Sequence, residues 1–262
     1  MKKLFLFGLA ITALALGSCS SEDDINDTKI VVNPNVTDSK LDQKSGGVYF
    51  VSTLAGEYIF RLNLKNGDDA MTCEMFHNED YSKLAPAETA WEPGEVLENL
   101  QFSSGEVKLI LSLNEDGEGE AQVFVEDTKF ESVIFKSTAK EPVKVYSGDT
   151  KEYYKANRES PDRILKEVMV LQNDLYFYGI WDETNPHSIE YMWSYGFKLS
   201  NKTESTFSYK VPDCPNAQTD DYTWERDNVK YDESIISWVF EDDSNPEEYF
   251  YSELTLHRRF KE

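Results

Sequence analysis

Tyr58, Phe60, Leu62 and Leu64 alternate with Ile59, Arg61 and Asn63. A spacing of two gathers side chains on one face only in an extended chain, because successive residues of a strand point to opposite sides. Asn66-Gly67 follows, a pair that tolerates the positive φ angles of a two-residue hairpin, and residues 71–76 supply a returning strand. The rhythm recurs at Val107, Leu109, Leu111 and Leu113, before the turn Asn114-Glu115-Asp116-Gly117, and again at Ala121, Val123 and Val125. Val133 and Phe135, then Val143 and Val145, continue it. In the second half 168–171 and 175–181 flank the turn Gln172-Asn173-Asp174, and 191–199, 206–211, 221–230, 234–240 and 249–256 complete the series. Helical spacing is scarce. Residues 151–170 read as one or two helical turns, kept short by Ser160-Pro161, since proline lacks the amide a helix interior needs. The pattern predicts an all-β fold: an antiparallel β-meander forming one or two small barrels or sandwiches.

Hydrophobic residues at 40% and aromatics at 13% are enough for a packed core. They are unevenly placed. Residues 20–46 are rich in Asp, Asn, Ser and Lys, with Pro34 and no apolar stretch longer than Ile30-Val31-Val32, which reads as a flexible tether. Beyond it, residues 58–64 and their turn parallel 168–171 and theirs, and 129–135 parallels 231–237, a spacing of roughly 100 residues that suits tandem modules as well as one long meander. The expected organisation is a leader at 1–18, a tether at 19–46, module A at 47–144 and module B at 145–262, the second a duplicate of the first if the repeat is real.

The leader begins with Lys2 and Lys3 and runs apolar from Leu4 to Leu16. Those 13 residues are the core of an export signal rather than a membrane span, which needs roughly 20 to cross about 30 Å of hydrocarbon. Its end, Leu16-Gly17-Ser18-Cys19, resembles the lipobox of bacterial lipoproteins. That resemblance implies cleavage before Cys19, acylation of its thiol and anchorage in a membrane, where several acyl chains hold far more firmly than one. Ser20-Ser21-Glu22-Asp23-Asp24 resembles the acidic stretch behind the lipidated cysteine of surface-exported lipoproteins in Bacteroidetes-type bacteria, which implies an outward-facing place on the outer membrane. Module B, from Tyr146-Ser147-Gly148-Asp149 through Gly179-Ile180-Trp181 to Ser252-Glu253-Leu254-Thr255-Leu256, resembles calycin-like or lipocalin-like lipoprotein domains, although it lacks several of their glycines. The likeness implies a small β-barrel.

Loss of the leader removes two lysines and no acid, so the formal charge moves from −23 to −25. Such a chain repels phosphate backbones and anionic bilayers, which argues against nucleic acid as a partner and favours solubility outside the cell. Cys73 and Cys214 remain after acylation; their separation suggests no particular disulfide, and free thiols are expected. His77 lies four residues past Cys73 without a second ligand pair, so no zinc site is expected. The acidic runs 114–120 and 241–248 lack the spacing of a calcium loop and fall where hairpin turns belong. No metal or cofactor is expected.

One strand stands out. Tyr191, Trp193, Tyr195 and Phe197 are spaced to share a face, and Trp181, Trp224 and Trp238 sit on strands that can converge with it. Such rings stack on sugars or line an apolar cavity, and they equally fill a barrel core. Trp91 stands apart, in a loop. For catalysis only His77, His187 and His257 are near-neutral acid–base groups, and neither a zinc-protease helix nor a nucleophile elbow is present. Three classes stay open: a non-catalytic lipoprotein binding a glycan or small apolar ligand; a structural lipoprotein docking in an envelope complex; and a glycoside hydrolase using paired carboxylates.

Overall fold

The computed structural model describes residues 44–54, 56–66, 69–182, 192–212, 223–244 and 248–261, with only the backbone of 192–195, 212 and 223. The leader and the lipobox with Cys19 lie outside the described residues. Every regular element among them is a strand, and the fold is all-β.

The first sheet is a meander of β1 (Gly47–Thr53), β2 (Ile59–Leu64), β3 (Thr72–His77), β4 (Asp80–Pro86), β5 (Leu97–Ser104), β6 (Val107–Leu113), β7 (Gly119–Val125) and β8 (Thr128–Phe130). β9 (Ser132–Ser137) then returns to pair with β1, Phe50 opposite Phe135, which leaves the sheet nearly closed. The seam is drawn together where the Ser132 hydroxyl donates to the Ala121 carbonyl, 2.9 Å away.

The second sheet comprises β10 (Val143–Tyr153), β11 (Arg163–Gln172), β12 (Leu175–Asp182), β13 (Met192–Lys198), β14 (Thr206–Pro212), β15 (Thr223–Tyr231), β16 (Ile235–Asp242) and β17 (Phe250–Arg259). Each pairs with its chain neighbour except β13 with β14, and β10 pairs with β17, so the meander curls back on its own first strand. Across the remaining seam Ser200 and Ser208 exchange two backbone hydrogen bonds of 2.7 and 2.9 Å.

Each barrel-like sheet buries one face of the alternation in its own interior. In the first, Tyr49, Phe60, Leu62, Phe102, Leu109 and Leu111 are fully buried; in the second, Tyr146, Met169, Tyr178, Phe207, Ile236 and Leu256 are. A third apolar cluster joins the outer faces: Phe50 and Ile59 from β1 and β2 pack with Val143, Val145, Val168, Val170 and Phe177 from β10 to β12. β11 is therefore buried on both sides, and reads as a nearly continuous apolar run. Gly179 lets the two barrels approach this closely, since a methyl there would overlap the Leu54 carbonyl.

Residues 151–170 are not helical. They are the end of β10, a connection and the start of β11, because long-range pairing of Lys151 with Ile164 and Glu253 overrides local preference. β5 carries no clear alternation because a bulge interrupts it between Leu97 and Leu100, with Asn99 at φ 53°. Packing also begins inside the expected tether: Ser45 is buried, its carbonyl accepting from Tyr49 Oη at 2.7 Å and its hydroxyl from the Gly94 amide at 2.6 Å. Trp91, set in a loop, is buried in the first core, and its indole N–H donates to the Glu95 carbonyl at 3.0 Å.

Candidate functional site

Strand direction alternates around a meander, so β10, β12, β14 and β16 all end at one rim of the second barrel, where β11, β13, β15 and β17 begin. Inward positions near that rim carry large rings. Trp238 is opposite Leu254, and Phe240 opposite Ser252; Trp224 is two residues before the buried Arg226. The rings form a continuous belt: Trp224 to Trp238 at 6.2 Å, Trp238 stacked on Phe240 at 5.9 Å, Phe240 to Phe250 at 6.1 Å, and Phe250 stacked on Tyr154 at 5.8 Å. A core would hide them. Instead Trp224 is 40%, Phe240 44% and Tyr154 48% exposed.

Below the belt, the barrel interior contains an ion pair. Arg226 and Glu167 are both fully inaccessible, and the guanidinium grips the carboxylate with two bonds, Nη1 to Oε2 at 2.8 Å and Nη2 to Oε1 at 3.0 Å. Nη1 also reaches the hydroxyls of Tyr209 at 2.8 Å and Tyr178 at 3.0 Å, and Nη2 reaches Thr150 Oγ1 at 3.1 Å; the Tyr178 hydroxyl donates to Glu167. Burial opposes charge on Arg226, yet the facing carboxylate and phenol oxygens outweigh it and hold its pKa well above the ordinary value. Burial likewise pushes the Tyr209 phenol up to about 12 and that of Tyr178 well above its usual value. The network therefore holds Arg226 charged and both phenols protonated at neutral pH. Its guanidinium lies against both indoles, 5.2 Å from the centre of Trp224 and 5.0 Å from that of Trp238, with Nε unpaired among the described residues.

The opposite arc of the rim is polar. Arg163 Nε donates to Asp182 at 2.7 Å, its Nη1 lies 3.4 Å from Glu152, and the Tyr154 hydroxyl donates to Glu152 at 2.9 Å. Arg158, from the β10–β11 connection, lies 3.7 Å over the Tyr251 ring and donates to the Tyr249 hydroxyl at 2.6 Å, strapping that connection to β17. Among the described residues the mouth is thus half aromatic and half charged, above a paired polar floor.

Neither a protein-family model, a curated protein nor a solved structure matches this chain.

The residues singled out from sequence scatter. Trp224 and Trp238 come together at the mouth, whereas Trp181 pairs opposite Lys166 on the outward side of β12, beside the first barrel. Phe197 packs against Tyr176 at 6.5 Å, at the far end of the interior. Tyr191 and the side chains of Trp193 and Tyr195 lie outside the described residues. The expected single face fails even in the backbone: Tyr195 pairs with Phe177 but Phe197 with Tyr176, a bulge with Gly196 at φ 80°, so positions 195 and 197 no longer share a side. Glu167, Arg226, Phe240, Phe250 and Tyr154 were missed. Glu167 carried a usable signal, as the only charged residue in the inward series Leu165, Glu167, Met169, Leu171.

Proposed function

We propose that this chain is a non-catalytic lipoprotein, held on the outer face of the outer membrane by lipidated Cys19, whose second barrel takes a small apolar ligand at its aromatic mouth. The observation that supports the reading is the belt from Trp224 to Tyr154, three of whose rings are close to half exposed over a floor in which Arg226 and Glu167 are paired with each other. With roughly 200 Å² per aromatic side chain, covering the exposed parts of those three buries about 250 Å², or about 6 kcal/mol gross at 25 cal/mol per Å². After the entropy of association that is consistent with micromolar-range binding of a ligand that adds contacts of its own. The charged arc at Arg163 and Asp182 offers a polar edge to orient it.

The test is a fluorescence titration of the chain with N-phenyl-1-naphthylamine, an uncharged apolar probe, with unlabelled alkyl and aryl alcohols as competitors. Saturable binding weakened about tenfold in Trp224→Ala and in Trp238→Ala, and unchanged in Trp181→Ala, is the expected result. Absence of saturable binding, or binding intact in both mouth variants, refutes the reading and moves the balance to an interaction protein.

A further inference from the structure

A second concavity lies away from the mouth, between the barrels. One lobe of about 360 Å³ is walled by Tyr58, His77, Phe130 and Trp181; a second of about 300 Å³ continues it past His257 and Glu253. The lobes share Glu79, Gly148, Asp149 and Arg259, so they form one cleft. Its size falls in the range of roughly 300 to 1,000 Å³ in which small-molecule sites lie.

The side chains along it are held in place. Arg259 lies over the Phe76 ring at 3.9 Å, donates from Nε to Ser147 Oγ at 2.8 Å, and from Nη2 to the Ser147 carbonyl at 3.1 Å and Glu79 at 3.4 Å. Its side chain is only 8% exposed, yet Nη1 has no hydrogen-bond partner among the described residues. The His77 ring stacks on Tyr58, 4.0 Å apart and 10° from parallel. His77 Nδ1 lies 2.7 Å from the Glu57 carbonyl, which can only accept, so Nδ1 carries the proton and Nε2 of the neutral ring is left as an acceptor. Asp149 and Lys166, paired at 2.9 Å and each about a third exposed, add an acceptor and a donor to the wall. Trp181 adds apolar surface.

The mixture decides the ligand class. An anion meets Arg259, Lys166 and Lys151, but Glu57, Glu79, Asp149 and Glu253 surround it in a chain of net charge −23. An apolar ligand would strip water from these groups without replacing it, at about 1 to 3 kcal/mol for each left unpaired. A sugar ring suits both demands, since each hydroxyl donates and accepts at once while the C–H face of the ring stacks on an aromatic plane. The geometry points to a binding site for a neutral saccharide in this inter-barrel cleft, with Arg259, His77 and Asp149 reading hydroxyls and Trp181 carrying the ring face. The site is separate from the mouth, and neither proposal depends on the other.

Saturation-transfer NMR of the full chain tests it, with methyl glycosides of glucose, galactose, mannose and N-acetylglucosamine and their β-linked disaccharides as probes. The expected result is saturable transfer to at least one probe, strongest on the C–H protons of one ring face. Affinity falls about tenfold in Asp149→Asn and in Trp181→Ala, while Trp238→Ala binds as the parent does. His77→Phe, which keeps the stack on Tyr58 but removes the ring nitrogens, weakens binding as well, and unchanged circular dichroism in each variant establishes that it folds. The inference is overturned if no probe shows saturable transfer, or if binding disappears in Trp238→Ala and persists in folded Asp149→Asn and Trp181→Ala.

Discussion

Replacing Arg226 by methionine removes every charged donor from Glu167. In the parent the carboxylate receives two guanidinium bonds and the Tyr178 hydroxyl; in the variant only the phenol is left, with neither group reached by solvent. Thr150 and Tyr209 lose their shared partner at the same time. Removal of one member of a buried pair typically costs about 3 to 5 kcal/mol, because the survivor is a buried charge without compensation. At about 2 kcal/mol per molar of urea, the unfolding midpoint is expected to fall by roughly 2 M.

Four of the five tryptophans, at 181, 193, 224 and 238, belong to the second barrel, so tryptophan emission during urea unfolding follows that barrel, and far-UV circular dichroism follows both. The control is Arg226→Met combined with Glu167→Leu. Exchange of a buried pair for apolar groups of similar volume is often neutral or better, and the Tyr178 and Tyr209 rings, 5.2 Å apart, stay close enough for their hydroxyls to turn toward one another. The double variant is expected to regain at least ~2 kcal/mol over Arg226→Met, a coupling that a double-mutant cycle reads directly. A single-variant loss below ~1 kcal/mol, or a double variant no more stable than the single, would refute the claim that the pair is buried and mutually dependent.

Cys19→Ala is expected to release the protein from the membrane fraction, as measured by fractionation and immunoblotting; protein that stays membrane-bound removes the lipid anchor from the proposal. Cys73, buried in the first core with its thiol pKa pushed up by burial, is expected to resist iodoacetamide in the native chain and react once the chain is unfolded, as peptide mapping will show. Gly179→Ala forces a methyl onto the Leu54 carbonyl and is expected to cost about 1 to 3 kcal/mol in thermal or urea unfolding. The Tyr209 phenol, raised by burial to about 12 from 10.0, retains its proton longer in the folded state than in the unfolded one. Its contribution to stability is therefore complete below about pH 10 and lost as pH rises toward about 12, so phenolate absorbance is expected to show that phenol ionising late and together with unfolding.

Legibility from the sequence followed how cleanly each strand showed one face to a core. Residues 58–64 and 107–113 alternate and are strands β2 and β6 with the expected inward set. β11 was blurred because Val168 and Val170 are buried against the other barrel, and Glu167 fell in the 151–170 segment read as helical turns, outside the strand read at 168–171. The aromatic strand at 191–197 misled for a different reason: a single extra residue at Gly196 reverses the side on which everything after it falls, and period counting has no means of sensing a bulge. Trp224 and Trp238 could be named, but their meeting depends on β15 and β16 lying next to each other, while Phe250 and Tyr154 reach the belt from β17 and the end of β10.

The two interiors differ in what they bury, and that difference bears on where a ligand goes. The first barrel encloses aliphatic and aromatic groups, and its buried phenol at Tyr49 is answered by a backbone carbonyl. The second encloses a complete ion pair with three hydroxyls, an arrangement that stability alone does not require, since apolar replacements hold a core as well or better. Its position gives it another use. The guanidinium carbon lies 5.2 and 5.0 Å from the ring centres of Trp224 and Trp238 and supports both indoles from the interior side. If that is why the charges are kept, the Arg226→Met/Glu167→Leu variant will fold with close to parental stability yet bind N-phenyl-1-naphthylamine about tenfold more weakly, because the indoles lose the cation that fixes their orientation. A double variant that is equally stable and binds equally well would reduce the pair to a structural element of the barrel and leave the aromatic belt to act without it.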